Sequence, residues 1–209
     1  MSDEARVAVL LSGRGSNFLS LHAAMERGEL PARIVVVVSN KSKAAGLAKA
    51  RELGLPAIAL PRRRRSREQH DLRVVEVLRE HGVEWVCLAG YMRLLSPSFV
   101  AAFPRRILNI HPSLLPAFPG LEAQQQALQH GVRVSGCTVH LVDDGLDSGP
   151  VVVQKAVPVM DDDTADTLAS RILAEEHRAY PEALGRLLGS DWEVDGRRIR
   201  WREPRNARD

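Results

Sequence analysis

Cysteine is nearly absent from this chain: two in 209 residues, Cys87 and Cys137, far apart and without metal-type spacing. That excludes a disulfide framework and a cysteine-zinc motif. It reads as reduced, mostly packed thiols in a cytoplasmic protein. Aromatic residues make up only 4%. A nucleic-acid surface would interleave aromatic rings with basic residues, so no nucleic-acid partner is expected. No stretch approaches the ~20 apolar residues of a membrane span, and the N-terminus lacks an apolar leader core, so neither a membrane partner nor a leader is expected. There are no internal repeats, and no low-complexity segment beyond one arginine run at 62–65.

What is present suits a small-molecule enzyme. The chain is 44% hydrophobic and 26% charged, enough for one domain over residues 1–190. A basic tail or small strand flap would follow at 191–209. The net charge is +3 and the pI about 9.2. A basic surface helps gather phosphorylated substrates. Arg62–Arg65 and the C-terminal arginines read as a solvated loop and a solvated tail. Nothing in the sequence separates a monomer from a homodimer.

Buried runs alternate with helical stripes. Arg6–Leu11, Ile34–Val38, Trp85–Ala89 and Ile107–Ile110 are fit for buried parallel strands, and Ala57–Leu60 for a short one. Helices are expected over Asn17–Arg27, Ala44–Leu53 with a stop at Gly54, and Arg67–Glu80. After Gly131 two long strands, Val134–Val142 and Val151–Val159, read as an antiparallel extension. A helix from Thr164 to Leu188 then packs back. Asp195-Gly196 is a turn pair that would fold Trp192 to Trp201 into two short strands. The expected fold is α/β: a Rossmann-like, mostly parallel sheet flanked by helices, with C-terminal antiparallel strands.

Asn109 and His111 end one of these strands. A period of two puts both side chains on one face, and Pro112, Pro116 and Pro119 hold the loop beyond as non-helical. An amide beside an imidazole suits an oxygen gaining negative charge, as in acyl transfer. Taken alone, the histidine also reads as a surface or packing residue. Two loops add to the pattern. Ser12-Gly-Arg-Gly-Ser-Asn17 sits between strand and helix. Its Gly15, Ser16 and Asn17 would bring free amides to a phosphate monoester, although a plain capping turn has the same look. It is neither the dinucleotide fingerprint nor a P-loop. The acidic loop Asp143-Asp144-Gly145-Leu146-Asp147 lacks EF-hand spacing and reads equally as a hairpin turn. Asp147, stiffened by Gly149-Pro150, would orient His111 and favour its charged form if held nearby.

Four segments together resemble the folate-dependent phosphoribosylglycinamide formyltransferases of purine synthesis. They are Ser12–Asn17, Leu88-Ala-Gly-Tyr-Met-Arg-Leu-Leu-Ser-Pro97, Leu108-Asn-Ile-His-Pro-Ser-Leu-Leu-Pro116 and Leu146-Asp-Ser-Gly-Pro150. The likeness runs in order from about residue 6 to 188. It implies a catalytic trio of Asn109, His111 and Asp147, with substrate phosphate on Gly15, Ser16 and Asn17. The glycinamide end would lie at Leu173, Ala174, Glu175 and Glu176, with Glu176 near the amine. It also implies 10-formyltetrahydrofolate as cosubstrate, contacting Arg67, Met92, Arg93, Leu94, Leu95, Asn109, Asp143, Asp144, Gly145, Leu146 and Asp147. No metal is implied. Where the family usually has a basic or polar residue this chain has Glu122, so no contact is assigned there. His140 reads as a packing residue under the site.

The chemistry so implied is formyl transfer to the glycinamide amine. Asn109 and protonated His111 would stabilise the tetrahedral oxyanion, with a proton passing through His111 or a water ordered by Asp147. Rival readings are formyltetrahydrofolate deformylase, with water as acceptor, and methionyl-tRNA formyltransferase. Both usually carry an extra domain, for which this chain looks too short. A non-enzymatic nucleotide sensor would not need the trio.

Overall fold

The computed structural model describes residues 4–202. In chain order the elements are β1 (Ala5–Leu11), α1 (Ser16–Glu26), β2 (Ala32–Ser39), α2 (Ala45–Glu52), β3 (Ala57–Ala59), α3 (Arg67–Glu80), β4 (Trp85–Leu88) and α4 (Pro97–Ala102). There follow β5 (Ile107–His111), α5 (Ala123–Gln129), β6 (Val134–Leu141), β7 (Val151–Pro158), α6 (Ala165–Gly189), β8 (Trp192–Asp195) and β9 (Arg198–Trp201). Among the described residues all nine strands join one sheet, ordered β3-β2-β1-β4-β5-β6-β7-β9-β8. The first five are parallel, and β5-β6 and β6-β7 are antiparallel. This is the mostly parallel sheet with an antiparallel extension expected from the sequence. From β1 the chain steps outward through β2 to β3, then crosses back through α3 to β4 on the other side of β1. The crevice between the ends of β1 and β4 is thus a topological switch point, where such sheets bind ligands.

Each face of the sheet has its own apolar layer, because β1 alternates. Val7, Val9 and Leu11 pack toward α1, α2 and α6, while Ala8 and Leu10 pack toward α3 and α4. The long helix α6 buries Leu168, Ile172, Ala179, Tyr180, Ala183, Leu184 and Leu187 along one stripe, and Glu176 lies in that stripe. Pro181 interrupts the helix ladder by removing the N–H that would serve the carbonyl of His177. The hydroxyl of Ser20 in α1 donates to that carbonyl instead, at 2.6 Å. Tyr180 is wholly buried. Its hydroxyl is 3.0 Å from the carbonyl oxygen of Leu88 and 2.9 Å from that of Leu108, tying the ends of β4 and β5 to α6.

Two short helices, α4 and α5, were not expected. Ser96 caps α4 with Pro97 at its first position. The segment is too short to show a 3.6-residue period. Glu122 starts α5 from a left-handed backbone conformation, which no cap pattern announces. The strand β5 continues through His111, one residue further than the apolar run alone indicates. The hairpin β8–β9 forms around Asp195 and Gly196 and touches β7 at a single register pair, Val151 with Arg198. The Trp192 ring packs tilted against Trp85, centroids 6.4 Å apart, and Arg186 covers Trp201. The end of the basic tail, residues 203–209, lies outside the described residues.

Candidate active site

The glycine loop leaves β1 and starts α1 at Gly15, whose backbone is left-handed (φ 80°). A Cβ there would lie 3.0 Å from Cα of Gly46, so the loop also needs glycine for the close approach of α2. No side chain caps α1. The first-turn amides therefore keep their donors for an anion, aided by the helix dipole. Together with the loop after β4, this end of the sheet encloses a cavity of about 640 Å³. Gly15, Ser16, Asn17, Met92, Leu173 and Glu176, all expected site residues, line it. Arg14, Lys41, Gln124 and Ser170 also line it and were not expected. Lys41 follows β2 and Gln124 lies in the first turn of α5, in segments that carry no motif, so only the fold reveals them. Ser12 braces the cavity floor: its hydroxyl meets Asn40 at 2.6 Å and accepts from the Met92 amide at 2.9 Å.

At the far wall the side chain of Asn17 donates to Oε2 of Glu176 at 2.7 Å, while its own Oδ1 is buried with no partner. The Asn17 side-chain amide is thus engaged with α6. Burial pushes the Glu176 carboxyl up, opposed by the Asn17 hydrogen bond and by the charge of His111. Ala174 is exposed, and Glu175 pairs with Arg178 at 2.8 Å rather than lining the cavity.

The sequence trio converges. His111, 5% exposed, ends β5 with Nδ1 3.4 Å from Oδ2 of Asp147 and Nε2 2.8 Å from the carbonyl oxygen of Phe118. Both ring nitrogens thus face acceptor oxygens. Asp147 has a left-handed backbone (φ 49°) and accepts from the Gly120 amide at 2.8 Å. Its loop is fixed by Gly149, where any Cβ would fall 1.9 Å from the Leu141 carbonyl oxygen. Asp143 accepts from the Ser148 hydroxyl and the Gly145 amide, so that carboxylate closes its own turn. Among the described residues no group of three or more His, Cys, Asp and Glu side chains is arranged to hold a metal.

His140 lies opposite Asn109 in the β5–β6 register. Its Nδ1 is 2.9 Å from the Leu141 carbonyl oxygen, and its Nε2 is 3.1 Å from Nδ2 of Asn109. Nδ1 therefore donates and Nε2 accepts, which fixes which way the Asn109 amide points. Burial pushes the His140 pKa down, keeping the ring neutral for this task. The packing role read from sequence is incomplete, because seeing its contact with Asn109 requires the strand pairing. The proline loop after β5 hangs from Thr138. That hydroxyl donates to the Ser113 carbonyl at 2.7 Å and accepts from the Leu115 amide at 2.9 Å.

The residues expected on the folate side come from several elements. Met92, Leu94 and Leu146 are exposed apolar side chains on the loops flanking the trio. The backbone amide of Arg93 donates to the Tyr91 carbonyl at 2.8 Å, and the Arg93 Nε is buried without a partner. Leu95 packs on the α3 face, while Arg67 is exposed at the start of α3.

Comparison with known proteins gives a consistent outcome. The family described as formyl transferase matches residues 5–184. A trifunctional purine biosynthetic protein adenosine-3 of Drosophila pseudoobscura pseudoobscura is 47% identical over 87% of this chain, which spans only 14% of that protein. The phosphoribosylglycinamide formyltransferase of Bacillus subtilis is 40% identical, covering 88% of this chain and 95% of its own. The crystal structure of glycinamide ribonucleotide transformylase 1 from Symbiobacterium toebii superposes with a TM-score of 0.94 at 48% identity, over 97% of this chain and 96% of that one. The chain belongs to the formyl transferase family.

Proposed function

We propose that this chain moves the formyl group of 10-formyltetrahydrofolate to the amine of 5'-phosphoribosylglycinamide, in the cytoplasm. The observation that carries this reading is the meeting of Asn109, His111 and Asp147 at the end of β5, beside a cavity that runs from unpaired helix amides to a buried glutamate. The phosphate sits on the backbone amides of Ser16 and Asn17, with Gly15 allowing close approach and Arg14 and Lys41 supplying charge. The glycinamide end reaches Leu173 and Glu176. The folate lies along Met92–Leu95 and Asp143–Asp147, with Arg67 toward its carboxylates.

The amine nitrogen attacks the formyl carbon and a tetrahedral adduct forms, its negative charge on the former carbonyl oxygen. Asn109, aimed by His140, and the His111 ring donate to that oxygen. For this His111 exchanges its Phe118 partner, and the Ser113 hydroxyl remains within 3.3 Å of that carbonyl. The C–N10 bond then breaks, and the proton lost by the amine passes to N10 through His111 or a water held by Asp147. Such donors each lower the barrier by about 3–4 kcal/mol.

The test is product analysis with purified protein and 10-formyltetrahydrofolate, with and without the nucleotide. Formylated nucleotide and tetrahydrofolate in equal amounts support the reading. Formate release without the nucleotide identifies a deformylase instead.

A further inference from the structure

His111, Thr138 and Gln154 stand in one row across three strands. Thr138 of β6 pairs with His111 of β5 on one side and with Gln154 of β7 on the other. Directly opposed residues share a face of the sheet, so all three side chains project toward the proline loop at 112–119. The side-chain amide of Gln154 donates to the Leu115 carbonyl and to the Thr138 hydroxyl oxygen, each at 2.9 Å. Thr138 gives its one proton to the Ser113 carbonyl and accepts from the Leu115 amide, so the Gln154 bond completes its set. Gln154 itself is exposed and takes no part in the apolar layer between β7 and α6.

The loop is held at two places. Gln126 of α5 donates to the Leu121 carbonyl at its far end, at 2.9 Å, and Thr138 with Gln154 holds its near end. Phe118, whose carbonyl meets Nε2 of His111, lies between. Ser113 joins the near anchor to that carbonyl, because its hydroxyl donates to the Ala117 carbonyl at 2.5 Å and to that of Phe118 at 3.3 Å. We propose that Gln154 is a positioning residue for formyl transfer. It fixes the proline loop so that the Phe118 carbonyl keeps the His111 ring in line for the formyl oxygen. The inference rests on the proposed function, in which the ring leaves that carbonyl for the oxyanion. An amide nitrogen suits the task because it carries two hydrogens, one for each oxygen. Among the described residues the Leu115 carbonyl has no other donor, and Leu115 is 5% exposed. Without Gln154 that carbonyl must turn toward water and take the loop with it.

The experiment compares Gln154→Met, which keeps the length and loses both hydrogens, with Gln154→Lys, which restores donors on a flexible stem. Product formation gives kcat and the folate KM. Calorimetry with phosphoribosylglycinamide alone gives affinity and stoichiometry, and NMR of the His111 ring nitrogens reports the ring directly. In Gln154→Met kcat should fall by about tenfold, as a small misplacement of a reacting group entails. Nucleotide affinity and the folate KM should stay within about twofold, with full stoichiometry, while the His111 resonances move. Gln154→Lys should recover most of the turnover and return the resonances toward those of the unaltered protein. A kcat within about twofold in Gln154→Met, or unmoved His111 resonances, would overturn the inference and leave the proposed function standing. A loss that lysine does not restore would assign the effect to packing rather than donation, with the same consequence. Nucleotide affinity or stoichiometry falling in step with kcat would make Gln154 merely structural and also overturn it. No formylated nucleotide from the unaltered protein would instead overturn the proposed function, and the inference with it.

Discussion

The side-chain amide of Asn17 donates to Oε2 of Glu176 across 2.7 Å, joining the first turn of α1 to the middle of α6, 159 residues later. This bond closes the far wall of the larger cavity. It also partners a carboxylate that burial makes harder to ionise.

Stability should carry the mark of this carboxylate. The folded protein holds the Glu176 proton more tightly than the unfolded chain does. The group's contribution is therefore best below the unfolded value and declines as pH rises through the folded one. Glu176→Gln abolishes that decline, and Asn17→Ala steepens it. Urea unfolding from about pH 4 to about pH 8 reads the slopes. Parallel curves for all three proteins would contradict the assignment.

Asn17→Ala should also raise the KM for the nucleotide much more than that for the folate. Lys41→Ala should raise the nucleotide KM by about tenfold, with the effect shrinking at high salt. Steady-state kinetics at two ionic strengths checks both. Equal changes for the two substrates would mean that the cavity does not take the nucleotide.

Tyr180→Phe removes the one buried hydroxyl whose proton is shared between the Leu88 and Leu108 carbonyl oxygens. The expected loss of stability is about 1–3 kcal/mol, read as a lower urea midpoint at unchanged slope. A loss below about 0.5 kcal/mol would show that the hydroxyl does not tie these strands.

Gly149→Ala drives a Cβ into the Leu141 carbonyl and so displaces the loop that aims Asp147. Turnover should fall by at least about tenfold, as misplacement of a catalytic group entails. Nucleotide binding, on the other face of the cavity, should persist. Calorimetry with the nucleotide alone separates this outcome from general unfolding.

Much of this arrangement is legible in the chain itself. Apolar runs announce the parallel strands, since strands buried on both faces must be continuous in hydrophobicity. The glycine turn before α1 and the Asn-Ile-His spacing announce the ends of β1 and β5, beside which the larger cavity opens. What escapes are contacts set by register and by distant loops. His140 meets Asn109 only once β6 pairs with β5, and Lys41 enters the cavity only because β2 lies beside β1. Asn17 reads as a phosphate ligand from local pattern, yet its side chain is taken by Glu176, a partner no local pattern reveals. The helices α4 and α5 are too short for periodicity to speak.

The most direct test of the catalytic account uses Asn109→Ala and His111→Ala with both substrates. If these side chains serve the developing oxyanion, kcat falls by about 10²–10³ for each. Calorimetric affinities for the nucleotide and for a folate analogue meanwhile stay within about twofold. Affinity lost in step with kcat, or kcat within about tenfold of the unaltered protein, would contradict the account.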